Sequence, residues 1–510
     1  MLRPHAAEPN WWSVPPEWTA VLRACPEYSP GTATRLAIDT AFRQVYREFA
    51  ESVHKLFESS APNDKQMGRD VAHVEYGNLV AAMDIALSHN VSIVMYYAAV
   101  AEYLSAAGHH ERALQVGEDV LARLEQCASA SETRDGIDAD RAAVIDNIGD
   151  HQRWLGQYEA AESNYRRALA ILTSAKTPVV TEAAIATTHH KLGLLAYDRR
   201  DWSQAGEHLK KWLAFEIRTE DRAHLPAAYH LLARVAAKQE DPEQAREYCH
   251  QAIDHYGSQG DRLSQSKVLV DLANLAREHG SRKEAKRSYR RAMVFFTEFN
   301  DRVGEGLVHH GLAITAEERN QKRRAWAHYQ KARRLFYEVG DRHSQATICN
   351  NLAALASRRR RTETAAKYYR QSLKLSRAVN DRHAAAVALR GLGNLARRSR
   401  DWKRAERCYR EAMTLNCALE DSALQAALNV DCGLVAYKQR RWDEAQRCLL
   451  AALGGLLEHQ DETGLDRCLR CLAWLWRRTD DPALPAAVGK VAGKTPEEVE
   501  SFFRKWLYGE

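Results

Sequence analysis

The chain has 510 residues, 27% charged and 45% hydrophobic with only 13 prolines, which excludes a disordered protein and exceeds what one ordinary core holds. Its formal net charge of +6, from 73 basic and 67 acidic residues, permits an anionic partner without demanding one. There is no run of 18 apolar residues, and the 10 cysteines scattered among helical patterns read as reduced thiols, so a cytoplasmic protein with no membrane span is expected.

Residues 1–34 form an irregular segment broken by proline and charge, with no apolar core of signal-peptide length. Its "NWWSVPPEW" stretch suits docking on its own chain, on a second copy or on a partner, and the sequence does not choose. Residues 35–90 read as a helical hairpin: "AFRQVYREFAESVHKLFESS" is amphipathic, a polar loop follows, and "HVEYGNLVAAMDIALSHN" supplies the second helix.

From residue 91 to 458 the chain repeats itself. Asp stands at 221, 261, 301, 341, 381, 421 and 461, a strict interval of 40. Twelve residues after each comes Ala or Gly, at 233, 273, 313, 353, 393, 433 and 473, and Ala returns at 245, 285, 325, 365, 405 and 445. Tyr289, Tyr329, Tyr369 and Tyr409 form a bulky column, followed by small residues such as Ala292, Ala332, Ser372 and Ala412. Each interval holds two apolar stretches of helical period, as in "AAVALRGLGNLARR" and "WKRAERCYREAMTL". Asp suits a helix N-cap, and the preceding Gly260, Asn300, Gly340 and Asn380 suit the left-handed turn that ends a helix. The spacing therefore predicts an all-α array of stacked helical hairpins, each covering the apolar face of its neighbour.

Leu392-Gly393, Trp402, Ala405, Tyr409 and Ala412 stand in an order that resembles the tetratricopeptide repeat, as does "WLGQYEAAESNYRRAL" at 154–169. The usual repeat is 34 residues; the additional six are expected between one pair's last helix and the next pair's first. The long form is similar to the repeats of kinesin light chains and of bacterial STAND-type regulators. Extended backward, the columns give nine helical pairs over about 91–458. The pairing of Glu75, Asn78, Leu79 and Ala82 with the preceding helix resembles the lead-in to a STAND sensor, whose ATPase would lie upstream. The resemblance implies a superhelix of nine to ten pairs that takes a protein or peptide along its concave groove.

Residues 459–510 read as a divergent last repeat and a cap, with Leu472 and Ala473 retained and Pro485 where Ala should sit. "GKVAGKTPEEVE" lacks the spacing and the strand of a phosphate loop, and Thr495-Pro-Glu-Glu498 reads instead as a capping box. Histidines come in pairs at 109–110, 189–190 and 309–310, outside any zinc-protease pattern, and Cys468 and Cys471 have no partner pair at zinc-site spacing. No catalytic residue, metal ligand or cofactor site is assigned, and an enzyme is not expected.

The groove-facing positions lie three before and one and four after each Gly/Ala column. They give His190, His230, Arg234, Asn274, Arg277, His310, Asn350, Arg390, Asn394, Arg397, Arg470 and Trp474. Asn clamps a peptide backbone and Arg takes carboxylates in bidentate fashion, so the expected partner is a protein or peptide, an acidic one in particular. The set resembles peptide-clamping tetratricopeptide proteins without reproducing their full Lys-Asn-Asn-Lys-Arg complement. A sensor or adaptor role in a bacterial-type signalling, regulatory or defence assembly is the leading expectation. One alternative is a nucleic-acid-associated factor using the basic patch of Arg358, Arg359, Arg360, Arg361, Arg398, Arg400 and Arg404. Another is the detached, ligand-sensing half of a STAND ATPase system. Oligomeric state is not written in the sequence.

Overall fold

The computed structural model describes residues 3–4, 12–13, 32–59, 62–89, 91–130, 134–174, 178–219, 222–417, 421–459 and 461–508. Their packing divides the chain into two compact units, Met1–Asp261 and Arg262–Glu510.

In the first unit, β1 (Arg3–Pro4) and β2 (Trp12–Ser13) make a two-residue antiparallel ladder inside the segment expected to be irregular. A hairpin of α1 (Thr32–Glu58) and α2 (Pro62–Ser88) follows. The polar loop expected before residue 73 is helical: Pro62 stands at the first helical position and Asp64 in the first turn, so proline's fixed φ and the helix dipole both favour an early start. Four hairpins come next. They are α3 (Val94–Ala106) with α4 (His110–Ala130), α5 (Arg134–Trp154) with α6 (Tyr158–Ser174), α7 (Pro178–Asp198) with α8 (Trp202–Arg218), and α9 (Leu225–Lys238) with α10 (Pro242–Ser258).

The second unit continues the pattern with α11 (Arg262–Glu278), α12 (Arg282–Glu298), α13 (Arg302–Glu318), α14 (Lys322–Glu338), α15 (Arg342–Arg358), α16 (Thr362–Ala378), α17 (Arg382–Arg398), α18 (Trp402–Cys417), α19 (Ser422–Lys438) and α20 (Trp442–Glu458). A further first helix, α21 (Glu462–Thr479), precedes the short α22 (Ala483–Ala492) and the terminal α23 (Pro496–Tyr508). Nine hairpins thus lie between residues 94 and 458 among the described residues.

The beat is finer than the sequence suggests. Left-handed residues fall every 20 positions, at Gly280, Asn300, Asn320, Gly340, Arg360, Asn380 and Arg400, so each of these seven turns, within a pair or between pairs, has the same form. α12 and α13 are 17 residues each and only Phe299, Asn300 and Asp301 separate them. The six residues expected in that link therefore lengthen the helices instead. Asp301, Asp341, Asp381, Asp421 and Asp461 each cap a first helix by accepting from the N–H three residues on. Asp221 lies outside the described residues.

The small and aromatic columns form the spine. Ala285, Ala325, Ala365 and Ala405 are fully buried, as are Ala292, Ala332, Ser372 and Ala412, and the Ser372 hydroxyl donates to the Ala346 carbonyl at 2.9 Å. Tyr165, Tyr289, Tyr369 and Tyr409 each fill space opened by one glycine. For Tyr165 and Tyr409 the glycine is in their own hairpin: a Cβ at Gly149 would stand 2.7 Å from the first ring and at Gly393 2.4 Å from the second. For Tyr289 and Tyr369 it is in the next hairpin, at Gly311 and Gly391, where the same atom would stand 2.4 Å from the first ring and 2.3 Å from the second. Where the glycine sits decides what faces the other side of the ring, which shapes the site.

At the C-terminal end the capping box forms: Glu498 N–H donates to Thr495 Oγ1 at 3.3 Å, and Thr495 N–H donates to Glu498 Oε2 at 2.9 Å. Gly489 lies inside α22 and Gly493 is its left-handed cap, a helix end rather than a phosphate loop.

Candidate partner-binding face

The first helix of each hairpin presents the positions three before and one and four after the small column, and many of these side chains have internal work. The Tyr289 hydroxyl donates to Asn274 Oδ1 at 2.6 Å and the Tyr409 hydroxyl to Asn394 Oδ1 at 3.0 Å. Burial pushes the Tyr289 hydroxyl up to about 12, so it remains a donor, and each Asn satisfies a phenol that would otherwise be stranded. Arg277 is only 11% exposed and spans Glu318 at 2.5 Å and Glu278 at 2.8 Å. Asn350 corrects the sequence reading. It is buried, its amide donating to the Ala384 carbonyl at 3.0 Å, because α17 packs over that side of α15 and closes the position to a ligand.

The histidines pack. His190 stacks on Trp212 with centroids 4.0 Å apart, and His310 Nε2 accepts from Asn351 Nδ2 at 2.9 Å. Burial depresses both to about 4, so both are neutral at pH 7. His189 faces His208 with Nδ1 atoms 3.0 Å apart, and His309 faces His328 at 3.1 Å in the same register. His230 is half-buried, and exposed Arg234 lies over the Tyr197 ring at 4.8 Å.

In the second unit the remaining positions gather around one buried carboxylate. Asp431 of α19 is fully buried and accepts from Arg390 Nε of α17 at 2.8 Å and from Arg467 Nη2 of α21 at 2.8 Å. Asn394 accepts from Arg397 Nη2 at 3.2 Å. The Nε atoms of Arg397 and Arg467 are covered yet have no hydrogen-bond partner among the described residues. On α21, Arg470 pairs with Asp466 and lies over the Trp506 ring at 4.0 Å, while Trp474 is 45% exposed. The arrangement offers guanidinium donors beside an exposed indole, chemistry that suits a carboxylate-bearing chain.

The same register in α5 holds Asp146, Asp150 and Arg153, which the sequence reading passed over although Gly149 marks their column. Lys191 of α7 lies between Asp146 and Asp150, 2.6 Å from the latter. Burial opposes its charge, but the two carboxylates outweigh it and hold the ammonium above its ordinary range. The Tyr165 hydroxyl donates to Asp150 at 2.7 Å.

The basic patch divides. Arg360 and Arg400 occupy left-handed turns, Arg359 and Arg361 flank the first of these, Arg358 pairs with Glu317, and Arg398 donates to Ser357 Oγ at 3.0 Å. Arg404, on the outward face of α18, keeps its side chain exposed. Burial pushes the Cys468 thiol up to about 12 and Cys471 up to about 11, so both are inert. Among the described residues no group of three or more His, Cys, Asp or Glu is placed to hold a metal, and no helix is long and apolar enough to cross a membrane.

Repeated hairpins that bury small residues of the first helices against bulky aromatic or aliphatic residues of the second helices define a helical-repeat protein. The family model of the tetratricopeptide repeat matches residues 224–298 and 344–418. Those two stretches are tetratricopeptide repeats, a fold type of non-catalytic, protein-binding scaffolds. Among solved structures it is similar to apo RapI, at 11% identity over 55% of this chain and 98% of that one with a TM-score of 0.44. It is also similar to a Rap protein complexed with competence and sporulation factor, at 12% identity over 78% and 98% with a TM-score of 0.44. The repeats of a putative kinesin light chain from Podospora anserina match at 17% identity over 39% and 92%, with a TM-score of 0.33. These likenesses carry no functional information. No curated protein matches the sequence.

Proposed function

We propose that the chain is a non-enzymatic scaffold that takes an acidic protein segment on the first-helix face of its second unit. In this reading Arg397 and Arg470 receive carboxylates, Asn394 meets the peptide backbone, and Trp474 provides the apolar anchor. His310 extends the face, Asn274 and Arg277 serve it by holding its helices, and His190, His230 and Arg234 hold the corresponding positions of the first unit. Such a scaffold acts as sensor or adaptor in a bacterial-type signalling, regulatory or defence assembly in the cytoplasm. The observation that carries the reading is exposed Trp474 one helical turn beyond Arg470 on α21, together with the covered Nε donors of Arg397 and Arg467, which have no partner among the described residues.

The test is a double substitution, Arg397→Ala with Trp474→Ala, followed by affinity capture from the native host. Arg390 is left in place because it neutralises buried Asp431. We expect captured partner to fall at least about tenfold, the equivalent of one strong anchor. Undiminished capture with unchanged helicity refutes the assignment.

A further inference from the structure

The chain's positive charge is concentrated on a different face. α12, α14, α16 and α18, the second helices of four consecutive hairpins, hold 20 Lys and Arg against 6 Asp and Glu. That net +14 stands in a chain whose total is +6, so all remaining residues together carry −8. The second helices of the first unit, α4, α6, α8 and α10, hold 8 basic against 11 acidic residues. The concentration is therefore not a property of the repeat.

The cations point outward. In α12 the core stripe is Ala285, Tyr289, Ala292 and Phe296; Lys283, Arg287 and Arg290 stand two positions away from it, roughly 200° around the helix. The same positions recur as Lys367 and Arg370 in α16 and as Arg407 and Arg410 in α18, and all are exposed. Some neighbours are neutralised locally, as in Arg334–Glu338, Arg377–Glu411 and Arg410–Glu406. Arg287, Arg290, Arg291, Lys331, Lys367 and Arg370 form no ion pair among the described residues. Uncompensated like charge of this density destabilises the folded unit, and a polyanion laid across it removes that cost.

We propose that this outer face is a docking surface for duplex nucleic acid, held through its phosphate backbone without sequence preference. Charge complementarity carries the choice, and the scarcity of apolar groups refines it. The large exposed hydrophobics of these four helices are Val294 and Tyr337. A protein partner needs an apolar anchor, a membrane surface needs an apolar stripe to enter the headgroups, and a single strand needs aromatic platforms. A row of phosphates needs none of these. The surface lies on the second helices and is independent of the first-helix face assigned to a peptide.

The experiment uses the full chain and a mixed-sequence DNA duplex of about 30 base pairs, read by fluorescence anisotropy between about 50 and 200 mM salt. The wild type should bind with a log–log salt slope of roughly −3 to −6, with affinities for unrelated sequences within about twofold. The variant Arg287→Ala/Arg290→Ala/Arg291→Ala/Lys367→Ala/Arg370→Ala should bind at least about tenfold more weakly with a shallower slope, while its circular dichroism is unchanged. Arg397→Ala/Trp474→Ala should bind the duplex as the wild type does. The proposal is overturned by absence of duplex binding at the lowest salt, or by a five-site variant that binds normally. It is equally overturned if a single strand or vesicles of anionic lipid bind more tightly than the duplex.

Discussion

Asp146 with Lys191 in the first unit and Arg390 with Asp431 in the second are the same pair of positions with the charges exchanged. In both, the residue three before a glycine column reaches a charge on the next hairpin's first helix, beside a tyrosine that leans into that glycine. Gly149 and Gly393 draw Tyr165 and Tyr409 toward their own hairpins, which leaves polar space on the far side of each ring. Where the glycine belongs to the next hairpin, as at Gly311 and Gly391, the ring fills that space itself. The repeat thus specifies an ionic slot and leaves its sign free. The exposures differ too: Lys191 lies between carboxylates 11% and 25% exposed, whereas fully buried Asp431 is held by arginines 30% and 42% exposed.

That difference sets the largest expected effect. Lys191→Met strands two shielded carboxylates and should cost about 3–5 kcal/mol of stability in denaturant unfolding, with much of it recovered by adding Asp146→Asn and Asp150→Asn. Asp431→Asn should cost only about 1–2 kcal/mol, because Arg390 and Arg467 then turn to water. Removing both arginines instead strands the buried carboxylate and should match the Lys191 effect. Equal costs for Lys191→Met and Asp431→Asn would show that the slots are not distinguished by exposure.

Acid should separate the units next. His151, His189 and His190 in the first unit and His309 and His310 in the second are held at about 4, chiefly by burial. Their folded values lie below the unfolded one, so their contribution is complete above about pH 6.5 and is lost as pH falls toward 4. Discounted for partial exposure, the loss by pH 5 should be about 2–3 kcal/mol in each unit, greater in the first. Hydrogen exchange resolved by segment measures it, and protection constant from pH 7 to 5 would contradict the assignment.

Packing gives a smaller effect. Gly393→Ala drives a methyl to 2.4 Å from the Tyr409 ring, while Gly433→Ala meets the Leu449 side chain at 2.8 Å. The first should cost about 2–3 kcal/mol and the second about 1 kcal/mol, since a branched aliphatic chain yields more readily than a ring wedged between helices. Thermal melts of the two variants decide the order.

How much of this could be read in the sequence follows from what periodicity fixes. It fixes the direction in which each Cβ points, which is why the Asp caps, the left-handed Gly260, Asn300, Gly340 and Asn380, and the buried alanine columns were legible. It does not fix where a long side chain ends. Asn274 and Arg277 stand where a groove residue should, but the first is taken by the Tyr289 hydroxyl and the second by Glu318. Asn350 stands there too and is closed off by a neighbouring helix. Nor does periodicity rank charges, so the arginine run at 358–361 drew attention while the unpaired cations lay on helices that read as ordinary amphipathic ones.

The smallest effect concerns the turns themselves. Arg360 and Arg400 adopt φ of 57° and 61°, where the equivalent turns at Gly280 and Gly340 use glycine. An L side chain in that region costs about 1 kcal/mol, part of which glycine returns as unfolded-state freedom. Arg400→Gly should therefore stabilise the second unit by a few tenths to about 0.5 kcal/mol, a gain read as a higher melting temperature. Because its guanidinium lies off the outer stripe of α12, α16 and α18, the same variant should leave duplex binding unchanged. A fall in duplex affinity on Arg400→Gly would move the anionic contact from the helix faces to the turns, and with it the reading of which arginines are structural.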